Sequence, residues 1–199
     1  MKKYILYTLL ILSLIVLPNH SKAVTDTVDL STDVMEFISI SVTQNDSIAF
    51  GNLTPGSPLT GSGGTRISVT TSSQFGYDLA ISDSVTGSNS TLLHTNVTDR
   101  IADYAGTIGT PTIWSGTGLG ASLYSGTGKA VKWGSGTTYN DALNKYAGIP
   151  ENSTVIMEKS GYLANPDLSY IGWKVDVPNN QLTGSYAGSV TLTATAKIN

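Results

Sequence analysis

The stretch YAGSVTLTATAKI, residues 186–198, decides the fold. Tyr186, Gly188, Val190, Leu192, Ala194, Ala196 and Ile198 take every second position, and Ser189, Thr191, Thr193, Thr195 and Lys197 take the others. A period of two marks an antiparallel strand with one face on a core and the other in water. Working back along the chain, the pattern recurs in residues 171–177 through Ile171, Trp173, Val175 and Val177, and in residues 75–82 through Phe75, Tyr77, Leu79 and Ile81. Ile67 and Val69 continue it, as do Ile38, Ile40 and Val42. Turn clusters separate these runs: Asn52-Leu53-Thr54-Pro55-Gly56, Gly61-Ser62-Gly63-Gly64 and Pro178-Asn179-Asn180. Short strands at this spacing predict an all-β fold, an antiparallel β-sandwich of the immunoglobulin-like or jelly-roll-like kind.

Residues 83–167 break the pattern and predict a central insertion of short helices and hairpins. One helix is expected over residues 96–104 with Gly106 beyond it, and another over 140–146 with Gly148 as its closing residue. Trp114-Ser-Gly-Thr-Gly118 and Tyr124-Ser-Gly-Thr-Gly128 repeat one unit ten residues apart. That period is too short for a solenoid, so two consecutive hairpins with matching glycine turns are expected.

The chain opens with Met1-Lys2-Lys3, then an apolar run over residues 4–17 broken only by Thr8 and Ser13, then Ser21-Lys22-Ala23. A basic start, a short apolar stretch and small residues before a cut predict a signal peptide over residues 1–23. The run falls short of the roughly 20 apolar residues that cross a bilayer. The expectation is therefore a secreted or extracellular cell-surface protein, residues 24–199 forming one domain with no membrane span after cleavage. Lys2, Lys3 and Lys22 leave with the leader, so eight basic residues face 14 acidic ones and the net charge becomes −6. Nucleic acid is not an expected partner, because phosphate neutralisation needs grouped Lys and Arg.

Catalytic and metal chemistry find little to work with. The chain has no cysteine and two histidines, His20 and His94, which removes thiol nucleophiles, Cys-ligated metals and multi-histidine sites. The glycine loops at residues 116–120 and 126–129 do not lie between a strand and a helix, the context a phosphate cradle requires. Asp99, Asp103, Asp141, Glu151 and Glu158 sit among polar neighbours, and no Asp-x-Asp-x-Asp-Gly calcium loop is present. No catalytic residue, metal site or cofactor is predicted, and the chain is read as a non-enzyme.

Two groups of residues remain as candidate binding elements. Trp114, Tyr124, Trp133 and Tyr139 lie in Gly/Ser/Thr-rich sequence, where flat rings either stack on sugars or form a satellite core holding the hairpins down. Residues 24–34 carry Val28, Leu30 and Val34 on one face and Asp29 and Asp33 on the other. Such a segment is either an ordinary first strand or a donor that completes the sheet of a neighbouring copy.

Several motifs stand in an order seen elsewhere: Phe50-Gly51, Gly76-Tyr77-Asp78-Leu79, Tyr170-Ile-Gly-Trp173-Lys-Val175 and Gly184-Ser-Tyr186-Ala-Gly188. With these the chain resembles secreted β-sandwich surface proteins of the WxL type, and the pilin-like exported proteins of candidate-phyla bacteria. Tyr77 stands where that family carries tryptophan, and Leu192-Thr-Ala194 where a Trp-x-Leu is expected. The resemblance implies a surface-displayed sandwich, with cell-wall binding through the tryptophan motifs. The expected function is that of an exported structural protein, a pilin-like subunit that self-associates by strand addition. The alternative is a carbohydrate-binding module or adhesin whose partner is a cell-wall or host glycan.

Overall fold

The computed structural model describes residues 27–84 and 90–198. The predicted leader, residues 1–23, lies outside the described residues. The chain divides into two units, Met1–Val34 and Met35–Asn199. In the first, residues 27–34 form no helix or strand, and Val28, Leu30 and Val34 are 82%, 92% and 87% exposed.

The second unit is all-β. Its strands are β1 (Ile38–Gln44), β2 (Leu59–Thr60), β3 (Thr65–Thr71), β4 (Gly76–Asp83), β5 (Leu92–His94), β6 (Arg100–Ile101) and β7 (Thr112–Ile113). They are followed by β8 (Gly118–Gly126), β9 (Lys145–Gly148), β10 (Thr154–Ser160), β11 (Asp167–Asp176), β12 (Tyr186–Ala187) and β13 (Val190–Ala196). A seven-stranded sheet runs β1-β3-β11-β8-β9-β7, with β2 also paired to β11. A second sheet runs β10-β4-β13, and a small third one β12-β5-β6. The strand pairs are antiparallel throughout.

The core lies between the first two sheets, as in a sandwich. Ile67 and Val69 of β3, Leu119 and Leu123 of β8, and Ile171, Trp173 and Val175 of β11 belong to one buried cluster. Tyr77, Leu79 and Ile81 of β4 join it, with Ile156 and Met157 of β10. A bulge between Val155 and Met157 lets two consecutive β10 residues turn inward. A polar contact also ties the two layers, the buried Tyr77 hydroxyl donating to Asp167 Oδ2 at 2.8 Å, while Thr127 Oγ1, just beyond β8 of the large sheet, donates to Asp167 Oδ1 at 2.6 Å.

The middle of the chain corrects three expectations. Neither predicted helix forms, and the only helical turn among the described residues is the 3-10 turn Val131–Trp133. In place of the first helix, Asn96 Oδ1 accepts the N–H groups of Thr98 and Asp99, Val97 has φ 60°, and Ile101 enters the core from β6. In place of the second, Asp141 accepts the N–H groups of Thr137 and Leu143, and Lys145–Gly148 is strand β9. An Asn or Asp that caps a helix can equally close a local turn, and a run this short has no intrinsic helical stability. The repeated aromatic-Ser-Gly-Thr-Gly units are not two hairpins: Trp114 precedes β8 and Tyr124 lies near its end, so the units bracket one nine-residue strand. Nor are residues 83–167 a separate decoration, because β8 pairs with β11 inside the large sheet and β10 pairs with β4 in the second.

Candidate functional site

The inward-facing rows are not covered evenly. Those of β3 and β4 are fully buried at Ile67, Val69, Tyr77 and Leu79. On β1, Ile38 and Ile40 are only half-buried and Val42 is 41% exposed; on β13, Val190, Leu192 and Ala194 are half-buried. Among the described residues these two strands are the ends of the two sheets: β1 pairs with β3 alone, and β13 with β4 alone. Where they face one another, the sandwich is open.

A groove of about 260 Å³ lies along this seam, walled by Val42, Ile48, Phe50, Leu92, Val190 and Leu192. Leu119 and Trp173 also reach it. Its lip is built by Asn45, which adopts φ 52° at the end of β1. Asn45 Nδ2 donates to Gly64 O at 2.6 Å and Ser62 O at 3.3 Å, and Asn45 O accepts from Thr65 Oγ1 at 3.0 Å. Thr65 Oγ1 in turn accepts from Trp173 Nε1 at 2.8 Å, which orients the indole. The groove is thus a preformed trough beside the ends of two sheets, apolar along Val42, Ile48, Phe50, Leu92, Val190 and Leu192 and polar along Asn45, Asp46, Ser47 and Ser189.

Thr91, which also lines the groove, connects it to a half-buried carboxylate. Its N–H and hydroxyl donate to Asp103 Oδ1 at 3.2 and 2.9 Å, while Asp103 Oδ2 is buried with no hydrogen-bond partner among the described residues. Burial pushes the Asp103 carboxyl up to about 6 against the Thr91 hydrogen bonds, and the nearby Asp83 charge pushes the same way. The fold therefore favours the neutral acid. Stability from this group is full below about pH 4 and is lost as pH rises through about 6. Asp103→Asn is expected to stabilise the domain by roughly 1–2 kcal/mol at pH 7.5, after discounting for partial exposure. Denaturant unfolding from pH 4 to 7.5 checks this; an asparagine variant with the parental pH slope would refute it.

The four aromatics singled out from sequence do not gather into one platform. Trp133 is 1% exposed, belongs to the core, and donates from Nε1 to Ile156 O at 3.1 Å. Tyr124 is buried with its ring tilted against Tyr170 at 5.9 Å. A Cβ on Gly172 would lie 3.3 Å from the Tyr124 ring and 2.7 Å from Tyr139 O, so both residues rest where β11 has no side chain. Trp114 lies over Gly120 of β8, stacks on Tyr104 at 4.4 Å and meets Tyr146 edge-on at 5.3 Å. The Lys174 ammonium sits 5.4 Å from its ring centre, and burial lowers that lysine's pKa. Three of the four thus cover glycine-bearing stretches of the large sheet, and Trp133 cannot face a sugar.

Among the described residues no group of three or more His, Asp or Glu is placed to hold a metal ion, and no helix is long and apolar enough to cross a membrane. His94 Nδ1 accepts the Asn96 N–H at 3.0 Å, and its ring packs edge-on to Tyr186. The seam was missed in the sequence, where its only trace is the absence of a further alternating run to cover β1 and β13.

Fold and site together define an antiparallel sandwich domain with one open seam. No protein-family model matches the chain, and no curated protein matches it. Among solved structures it is similar to a chain of a chaperone-usher pilus, at 12% identity and a TM-score of 0.38, over 91% of this chain and 98% of that one.

Proposed function

We propose that this chain is an exported, non-catalytic structural protein of the cell surface that assembles with copies of itself by strand addition, residues 24–34 acting as the donor. The observation that carries this reading is the open seam, where the inward rows of β1 and β13 are half-covered while those of β3 and β4 are sealed. A sandwich left in this state gains free energy when another strand arrives, at about 25 cal/mol per Å² of apolar surface removed from water. The exposed Val28, Leu30 and Val34 supply matching apolar side chains. Export is supported by the leader-like residues 1–23; the absence of cysteine leaves sheet hydrogen bonds and the core to hold the fold.

Deleting residues 24–33 tests the reading. The deletion leaves the unit Met35–Asn199 whole, so a folded monomer is expected, with the oligomers and filaments of the parent lost in sizing chromatography and negative-stain microscopy. A parent that stays monomeric at every concentration, or a deletion variant that still polymerises, would overturn it.

A further inference from the structure

We infer that the acceptor is the β1–β13 groove of a second copy, with residues 28–34 of the incoming chain hydrogen-bonded to the free edge of β13 and Val28, Leu30 and Val34 turned into the groove. This rests on the strand-addition reading and specifies where it acts.

The other sheet ends offer less. The free end of the second sheet is β10, whose inward Ile156 and Met157 are already buried. A strand added there would cover little more apolar surface. It is also bulged between Val155 and Met157 and carries Glu158 and Lys159, features that discourage edge pairing. The far end of the large sheet is β7, only two residues long. By contrast β13 pairs with β4 over seven residues, Val190 to Ala196, in unbroken register, and carries no charged residue along that length. Seven residues of strand span about 23 Å, and so do residues 28–34 when extended. Their alternation puts 28, 30 and 34 on one side, with Thr32 between them.

Chain connectivity favours a second copy over the same one. Phe37 is already fixed beside β3: its N–H donates to Ser72 Oγ at 2.7 Å, and its carbonyl accepts from Ser72 N at 2.9 Å and Thr71 Oγ1 at 3.0 Å. Folding residues 28–34 back along β1 would leave Met35-Glu36 as a two-residue hairpin turn. Such turns need positive φ at one or both central positions and call for Gly, Asn or Asp, which neither residue is. Reaching a neighbour needs no turn at all.

The cysteine-free chain makes the test direct. Leu30→Cys is combined in the exported protein with a second cysteine at Val190, Leu192 or Ala194 on β13, or at Val155 on β10. Oxidation is expected to give a ladder of disulfide-linked multimers on non-reducing gels for at least one β13 position and none for Val155. A second variant, Leu30→Asp in the cysteine-free chain, changes a side chain that is 92% exposed, so it is expected to keep the parental melting temperature and lose the polymers. Polymers without a β13 ladder, or a ladder from Val155 instead, would overturn the groove assignment and leave strand addition standing. Intramolecular disulfides in a monomer would overturn the second-copy assignment. No polymer in the parent would remove the underlying reading itself.

Discussion

Trp133→Ala is expected to destabilise the domain by about 3–5 kcal/mol, the range for removing a large aromatic from a packed core. The indole is 1% exposed and sits in the 3-10 turn Val131–Trp133, which presses it under β10. Its loss leaves a cavity and also removes the donor to Ile156 O at 3.1 Å, on the bulged strand. For a domain of this size the melting temperature should fall by roughly 6–20 °C. The same experiment tests the glycan alternative. A carbohydrate-stacking Trp133 would lose ligand retention without losing stability, so an unchanged melting temperature would contradict its place in the core. Trp114→Ala should cost less, because Trp114 is half-buried and lies on the large sheet over Gly120.

Asp167→Ala is the second large effect, expected at about 3 kcal/mol. One carboxylate accepts from two hydroxyls, Tyr77 on β4 and Thr127 just beyond β8. Removing it leaves the buried Tyr77 hydroxyl without its acceptor, and an unsatisfied buried polar group costs about 1–3 kcal/mol. Tyr77→Phe should cost less, because Thr127 still satisfies the carboxylate. The pair also makes a prediction in base. Burial, then the Asp167 hydrogen bond and charge, hold the Tyr77 hydroxyl well above its ordinary value of 10.0. A raised pKa gives stability that is present below pH 10 and lost as pH climbs beyond it, when the unfolded tyrosine ionises and the folded one does not. Denaturant unfolding between pH 8 and 11 should show that loss in the parent and a flatter profile in Tyr77→Phe. Identical slopes would mean the hydroxyl is not shielded as the structure places it.

Much of the sandwich was legible because its strands alternate strictly. Val190, Leu192 and Ala194 do face the core side, as do Ile67 with Val69 and Tyr77 with Leu79. Strands β8, β9 and β10 escaped, β8 although Leu119, Ala121 and Leu123 keep the same period. The other row of β8 is Gly118, Gly120, Ser122 and Tyr124 rather than exposed polar residues, and both of its faces are covered. Trp114 and Tyr124 bury that outer side, and a strand buried on both faces lacks the wet row that makes alternation visible. The two absent helices have a local cause. Asn96 and Asp141 spend their side-chain oxygens on turn N–H groups, a choice that residue type alone leaves open.

The candidate site divides along the same line. The alternation of Val28, Leu30 and Val34 with polar residues was readable, because alternation is a property of consecutive residues, and the structure leaves these side chains exposed outside any strand. The groove was not readable. It depends on β1 ending one sheet and β13 ending the other, with their lining residues Val42 and Leu192 150 residues apart in the sequence. Period and composition determined which elements form and which face each one buries, since both are local. Which edges meet, and that the apolar rows of β1 and β13 stay half-covered there, was decided by the tertiary structure alone, because sheet order is set by long-range packing that no stretch of sequence contains.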